Sequence, residues 1–473
     1  MPDRPNVVVF FTDQQRHDTS GLHGCPLDLT PNFDAWAARG THFAQTITPQ
    51  PVCGPARACL QTGRFATAIG DGCHTNGRPL PQDADTLAKR FDAAGHATGY
   101  FGKWHLGSGE GPVPEAARGG WKHWLAANAL EAVSDAYQTR VWDNGENPVD
   151  LPGYRVDALT DAAIRWIGER SAAGEPFACM LSHLEPHMQN HRDDHPAPAF
   201  LAERYAGRWT PPDLAALPGV HPAVAHLTGG NAQQQLAGYF GMCKRLDDAF
   251  GRLMDALISL GQLENTIVAF ASDHASHFRT RNQEYKRSCH EASVRTPCMI
   301  HGGPFTGGGR VEKPFQLTDL APTLCDAAGL DAPEGAHGKS AVGLVTRDAA
   351  AAEAWPEEAF VQVSESVLGR AVRTRRWKYA AEAVNAGPKD RFAAAYRETH
   401  LYDLLADPHE LINLAGLASH APVRADMKAR LLRRMAEAGE PGAEVHDAPD
   451  PDPAPPQRFQ RELREADALV PLP

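Results

Sequence analysis

The sequence lacks the features that define several protein classes. Its 473 residues carry more acidic than basic side chains, with a formal net charge of −12, so the chain has no basic footprint for nucleic acid or an anionic membrane surface. No apolar run approaches membrane-spanning length, and the first residues show no secretory signal pattern. We therefore expect no nucleic-acid or membrane partner and a cytoplasmic location.

Cysteine occurs without any paired pattern. The nine cysteines are odd in number and scattered, and none forms a Cys-x-x-Cys motif. A disulfide framework or a zinc knuckle is therefore not expected. The length, with 42% hydrophobic and 22% charged residues, fits a globular protein of more than one domain.

One stretch, residues 51–64, places a cysteine at the start of a predicted short helix. Pro55 suits the first helical turn, and Gly63 suits the C-terminal stop. The N-terminus of a helix attracts anions. Cys53 and Arg57 are four residues apart, so a helix would place the sulfur and the guanidinium on one face.

Four apolar segments read as buried strands, at residues 6–11, 96–101, 176–181 and 266–271. Helical patterns lie between them, which predicts a mostly parallel sheet covered by helices on both faces. Ligands of such sheets bind beyond the carboxyl ends of the strands. The polar residues that the sequence places there are Asp13, Gln14, Lys103, His105, His183, His187, Asp273 and His274.

Beyond residue 340 the pattern changes to a smaller unit. Antiparallel strands are predicted at 359–363, 371–379 and 400–404, with a closing helix at 421–438. The last stretch is rich in proline and acids and is predicted to lie over the surface or to be disordered. Residues 191–231 are predicted as a surface excursion. The domains are therefore expected at 1–340, 341–438 and 439–473.

Two motifs resemble a known family. Cys-x-Pro-x-Arg at 53–57 with Thr-Gly-Arg at 62–64 resembles the signature of the type I sulfatases of the alkaline phosphatase superfamily, and Gly-Lys-Trp-His-Leu-Gly at 102–107 resembles their second signature. The resemblance implies an α/β fold with a large, mostly parallel sheet between helices and a smaller C-terminal α+β subdomain. It also implies that a formylglycine-generating enzyme oxidises Cys53 to formylglycine, whose hydrated aldehyde is the nucleophile.

The resemblance further implies a metal site. Asp13, Gln14, Asp273 and His274 lie where sulfatases hold Ca²⁺, and the converted Cys53 would complete the ligands. Many family members carry Asp-Asp and Asp-Asn at the two places. Asp-Gln with Asp-His recurs in the branch that includes phosphonate monoester hydrolases, and the nitrogen donor makes Mn²⁺ an alternative, with Mg²⁺ a further one.

Catalytic roles follow from the same resemblance. Arg57 and the metal would ionise the hydrate, Lys103 would neutralise charge, and His105 would be the base that expels sulfate. His187 and Lys286 would protonate the departing alcohol.

His183 is the alternative to His187, because spacing alone does not separate the two. Other polar residues nearby are predicted to bind the organic part of the substrate: His183, His277, Arg279, Arg281 and His290.

The expected function is hydrolysis of a sulfate monoester. The His-rich loops favour a sulfated carbohydrate over a simple aryl sulfate. The alternatives are a phosphonate monoester or phosphodiester hydrolase on the same site, and a non-catalytic protein in which Cys53 stays a thiol. A homo-oligomer is a further alternative, in which the acidic tail would contribute to contacts between subunits.

Overall fold

The computed structural model describes residues 4–217, 219 and 232–449. None of its helices in these ranges is long and apolar enough to span a membrane. The strands, in chain order, are β1 (Asn6–Thr12), β2 (Thr41–Phe43), β3 (Thr46–Ile47), β4 (Ala97–Lys103), β5 (His123–Ala127), β6 (Thr139–Trp142), β7 (Pro148–Leu151), β8 (Phe177–Ser182), β9 (Thr266–Ser272), β10 (Cys298–His301), β11 (Gly309–Val311), β12 (Phe315–Gln316), β13 (Glu358–Val363), β14 (Gly369–Thr374), β15 (Trp377–Ala383), β16 (Ala395–Asp403) and β17 (Glu444–His446).

The α-helices lie between these strands. They are α1 (Pro31–Arg39), α2 (Cys53–Thr62), α3 (Leu87–Ala93), α4 (Leu130–Val133), α5 (Arg155–Ala173), α6 (Ala199–Tyr205), α7 (Pro212–Ala216), α8 (Gln233–Ser259), α9 (Glu291–Val294), α10 (Leu317–Ala327), α11 (Val342–Val345), α12 (Ala349–Ala354) and α13 (Ala421–Glu437).

The large sheet has the order β11-β2-β10-β9-β1-β8-β4-β5-β6-β7. Its centre, from β9 to β5, is parallel, whereas β10, β6 and β7 pair antiparallel with their neighbours. The predicted α/β fold with a mostly parallel central sheet is therefore confirmed. The parallel pairing places the ends of β1, β4, β8 and β9 at one edge.

Helices cover both faces of this sheet because alternate residues of each strand point to opposite sides. Val7 and Phe11 of β1 join a core with residues of α2, α3 and α10, while Phe10 joins a second core with α1, α5 and α8. A strand buried on both sides needs apolar residues at every position, which explains the continuous apolar run of β1.

The smaller sheet has the order β13-β14-β15-β16-β17, antiparallel except for the last pair. The stretch predicted as one strand at 371–379 is instead a hairpin, because the chain turns between Thr374 and Trp377. Residues just beyond the predicted boundary at 340 pack on the core of the large sheet, among them Val342 and Trp355.

Two predictions of surface segments are corrected where the structure describes them. Within 191–217, α6 packs on α8, and Leu201 of α6 and Leu214 of α7 are buried in one core cluster with residues of α8. Residues 218 and 220–231 lie outside the described residues. The start of the predicted tail belongs to the smaller sheet, because Glu440 is buried against Arg370 at 2.7 Å and β17 follows it. Residues 450–473 lie outside the described residues.

Position 102, just before Lys103 at the end of β4, accommodates only glycine. Its φ of 101° is left-handed, and a Cβ would lie 2.0 Å from the carbonyl oxygen of Ser182. We predict that Gly102→Ala lowers the free energy of unfolding by at least about 2 kcal/mol, measured by chemical denaturation. Gly168→Ala is the control: this glycine lies inside α5 in open space, so the variant should gain up to about 1 kcal/mol. Equal stability of the two variants would contradict the assignment.

Candidate active site

The predicted helix at Cys53 is α2, which begins at this residue and ends at Gly63. Gly63 is left-handed, and its N–H donates to the carbonyl of Cys59. Every residue of α2 is buried. The thiol therefore lies at the N-terminus of a helix set into the core, beside the carboxyl edge of the sheet.

Three groups from different segments surround the sulfur. Lys286 Nζ lies 2.9 Å from Cys53 Sγ, His274 Nε2 lies 3.3 Å away, and Asp13 Oδ1 lies 3.7 Å away. Burial raises the pKa of the Cys53 thiol, but Lys103, Lys286 and His274 outweigh it and hold the pKa well below its ordinary value. The surroundings thus favour negative charge at position 53.

Asp13 joins the helix to two strands. Its Oδ2 accepts hydrogen bonds from Arg57 at 3.0 Å and from Lys103 at 2.8 Å. Burial and Cys53 raise the pKa of this carboxyl. The positive charges of Lys103, His187 and Arg57 outweigh them, so the pKa lies below its ordinary value. The carboxylate is therefore charged, with Oδ1 left facing the sulfur.

Asp273 and His274 follow β9. Asp273 Oδ1 accepts the N–H groups of Gln14 at 3.0 Å and of His274 at 2.8 Å, and burial together with Asp13 raises the pKa of Asp273 to about 6. Gln14 takes a left-handed φ of 69°, which turns the chain sharply after β1. The Nδ1–H of His274 donates to the carbonyl of Ala275 at 3.1 Å, so Nε2 offers its lone pair to the pocket.

These residues suit a divalent cation. One donor atom from each of Asp13, Cys53, Asp273 and His274 lies within 4.8 Å of all the others, and all four residues are buried. Asp273 Oδ2 is buried, forms an ion pair with Arg57 at 3.2 Å and has no well-aligned hydrogen bond among the described residues. Two buried carboxylates close together repel each other, and a cation between them would offset that repulsion.

His187 and Lys286 meet on the other side of Cys53. Their Nε2 and Nζ atoms are 3.0 Å apart, and Lys286 Nζ also lies 3.4 Å from Gln14 Oε1. The Nδ1–H of His187 donates to the carbonyl of Met188 at 2.6 Å, which orients Nε2 toward the pocket. Burial and Lys286 lower the pKa of His187.

Glu131, at the start of α4, was not found from the sequence. Its Oε1 lies 3.0 Å from Lys103 Nζ and 3.7 Å from His105 Nδ1. Burial raises the pKa of Glu131, but Lys103 and His105 lower it to about 2, so this acid is charged and holds both predicted residues of the second motif. Glu131 lies in no motif and follows no apolar strand end, so no sequence signal marks it.

A second missed group links the smaller sheet to the site. Asn76 Oδ1 accepts the N–H of Gly54 at 2.9 Å, and Glu365 Oε1 accepts the N–H of Asn76 at 2.5 Å. Glu365 also pairs with Arg287 at 2.7 Å, next to Lys286. Loops from three parts of the chain are thereby held together around α2.

His183 does not reach the pocket. Its side chain is fully buried against the ring of Phe10, with centroids 4.8 Å apart, and neither ring nitrogen has a hydrogen-bond partner among the described residues. Burial and Arg155 lower its pKa to about 3, so the ring is neutral. The geometry places His187, not His183, beside Lys286 and Cys53.

Four other predicted substrate-binding residues hold the loop that carries Lys286. His277 Nε2 bonds the carbonyl of Lys286 at 3.0 Å, and Arg279 pairs with Asp193 at 2.8 Å. Arg281 donates to the carbonyls of residues 409 and 410.

His290 lies 3.2 Å from the hydroxyl of Tyr402. None of these contacts involves Cys53, and the predicted role of the four residues in substrate binding stays a prediction.

The sheet with a buried cysteine, paired acids and an imidazole at its carboxyl edge defines a hydrolase of the alkaline phosphatase superfamily. A profile described as "Sulfatase" matches residues 5–330, and a second, "N-sulphoglucosamine sulphohydrolase, C-terminal", matches residues 283–437. The chain belongs to the sulfatase family, and it is an enzyme of the type I class.

Curated relatives match this chain over most of its length. The ulvan-active sulfatase of Formosa agariphila is 28% identical, over 93% of this chain and 82% of that protein. The N-acetylglucosamine-6-O-sulfatase of Bacteroides thetaiotaomicron is 25% identical, over 88% of this chain and 84% of that protein.

Solved structures show the same fold. The Bacteroides fragilis protein solved under the name sulfatase yidJ has a TM-score of 0.78 and 22% identity, over 93% of this chain and 97% of the other. The phosphonate monoester hydrolase of Agrobacterium radiobacter has a TM-score of 0.68 and 25% identity, over 92% of this chain and 96% of the other.

Substitution of the two histidines tests which one serves the leaving group. His187→Ala should reduce kcat about 100-fold or more on an alkyl sulfate and less on a nitrophenyl sulfate, because a good leaving group needs no proton. His183→Phe should keep kcat near the wild-type value, because its neighbour is an aromatic core residue. A loss of activity in folded His183→Phe with little loss in His187→Ala would reverse the assignment.

Proposed function

We propose that this sulfatase removes sulfate from a sulfated sugar, with Cys53 converted to formylglycine and a divalent cation held beside it. The observation that carries the proposal is the meeting of Cys53, Lys286 and His187 with the acids and imidazole of a cation site. The name of the relative that acts on N-acetylglucosamine-6-O-sulfate supports a sugar substrate.

The cation would be held by Asp13, Gln14, Asp273 and His274. We propose Ca²⁺, since carboxylate and amide oxygens dominate the donors, with Mn²⁺ or Mg²⁺ as the alternatives because of the imidazole. When present, the hydrated aldehyde at position 53 supplies the attacking hydroxyl and the cation lowers the pKa of that hydroxyl.

The chain's own cations receive the anionic ester. Lys103, Arg57 and Lys286 all lie within the buried cluster around Asp13 and Cys53, and they neutralise the charge that develops on the sulfate oxygens. Lys286 and His187 face the leaving oxygen and supply its proton. His105, whose Nδ1 lies 3.7 Å from Glu131 Oε1, removes the proton that must leave position 53 before sulfate departs.

A second function has specific support. The neighbouring phosphonate monoester hydrolase structure and the Asp-Gln and Asp-His pairs favour a phosphonate monoester or phosphodiester as the alternative substrate. Both anions are tetrahedral and would occupy the same cluster of cations, so only relative rates separate them.

The test is a comparison of kcat/KM on three compounds, using protein produced with a formylglycine-generating enzyme. We expect 6-O-sulfated N-acetylglucosamine and a nitrophenyl sulfate to be hydrolysed faster than a phenyl phosphonate ester. Intact mass should be about 18 Da below that of the unconverted chain. A higher kcat/KM for the phosphonate would support the alternative, and full conversion without turnover of any ester would contradict both.

Removal of the cation should abolish turnover and Ca²⁺ should restore it. Asp13→Asn should hold less than about a tenth of the wild-type metal after dialysis, measured by elemental analysis, because a carboxylate ligand is lost. Asp150→Asn is the matched control, since that aspartate pairs with Arg140 on the surface. Full metal content in Asp13→Asn would contradict the proposed ligands.

A further inference from the structure

We infer that the chain with Cys53 still a thiol binds zinc(II) through Cys53, His274 and one carboxylate oxygen from each of Asp13 and Asp273. The inference rests on the cation site of the proposed function but concerns the protein before conversion. It implies that oxidation of one side chain changes which metal the pocket selects.

The donor atoms differ between the two forms. The unconverted site offers one sulfur, one imidazole nitrogen and two carboxylates, which are the ligand types that zinc takes in proteins. Calcium takes oxygen ligands and does not favour a thiolate. Conversion replaces the sulfur by oxygen, so the same pocket then presents mainly the hard donors that suit calcium, magnesium or manganese.

The spacing of the donors fits a four-coordinate ion. Sγ lies 3.3 Å from His274 Nε2 and 3.7 Å from Asp13 Oδ1, and Nε2 lies 3.6 Å from an oxygen of each of Asp13 and Asp273. A tetrahedral zinc ion with bonds of about 2.0–2.3 Å separates its ligands by about 3.3–3.6 Å. These four distances fit the ion, and the two remaining donor pairs, Cys53 with Asp273 and Asp13 with Asp273, lie within 4.8 Å.

The surrounding contacts orient the ligands. Nδ1–H of His274 is held by the carbonyl of Ala275, which leaves Nε2 for the metal. Asp13 is fixed through Oδ2 by Arg57 and Lys103, so Oδ1 is the atom free to bind.

Charge is also compensated at the site. Lys286 Nζ lies 2.9 Å from Cys53 Sγ, so a positive charge already faces the sulfur. Zinc binds Cys53 as a thiolate, so any proton still on the sulfur passes to solvent on binding.

The experiment uses the full chain produced without a converting enzyme, with intact mass to show that Cys53 is unmodified. We expect one zinc ion per chain that excess calcium does not displace. Cobalt(II) in place of zinc should give sulfur-to-cobalt charge-transfer absorption in the near ultraviolet. Cys53→Ser should lose that absorption and bind zinc about 100-fold or more weakly.

Cys59→Ala is the matched control, because this buried thiol lies on the same helix but is not one of the four grouped donors. It should keep both the absorption and the zinc affinity. Absence of the absorption in the wild type, or equal zinc affinity in folded Cys53→Ser, would overturn the inference. The wild-type spectrum decides the question if Cys53→Ser fails to fold. Neither result alters the sulfatase activity of the converted chain, which is measured separately.

Discussion

The active site depends on one buried ion cluster, in which the carboxylate of Asp13 meets Arg57 and Lys103. The three groups come from the end of β1, from α2 and from the end of β4, and all are buried. Taking these charges out of water is costly. Loss of one partner leaves an uncompensated buried charge, which lowers the free energy of unfolding by about 3–5 kcal/mol. The cluster therefore fixes α2 against the sheet, and with it the position of Cys53.

This cluster also gives the two aspartates different charge states and contacts. Asp13 is charged and uses one oxygen for the cations and the other for the pocket, whereas burial and Asp13 raise the pKa of Asp273 to about 6. A divalent cation between them would stabilise both as carboxylates. Since the whole chain carries a net charge of −12, attraction of an anionic ester depends on this local group of cations rather than on the overall field.

Much of the arrangement of the site could be predicted from the sequence, because many of its residues lie at or just after the ends of strands. A continuous apolar run predicts a buried parallel strand, and Asp13, Lys103, His187 and Asp273 all follow such runs. Their meeting then follows from the topology. The boundary of α2 was also predictable, since Gly63 allows the left-handed stop.

The remaining features depend on tertiary contacts that leave no local pattern. Glu131 reaches Lys103 from a four-residue helix, and Glu365 reaches Asn76 from the turn of a hairpin in the smaller sheet. Spacing did not separate His183 from His187, because only the packing of His183 on Phe10 shows that its ring turns into the core. The resemblance predicted Cys53 as the nucleophile and the cation ligands, whereas Glu131 and Glu365 are visible only in the fold.

The most direct test of the account is the location of a cation and a sulfate in crystals of the converted protein. Crystals grown with Mn²⁺ and a non-hydrolysable sulfate ester analogue would give an anomalous difference peak that marks the ion. We expect this peak among Asp13, Gln14, Asp273 and His274, with the sulfur of the ligand between residue 53 and Lys286. A peak elsewhere, or a ligand that binds away from residue 53, would contradict it.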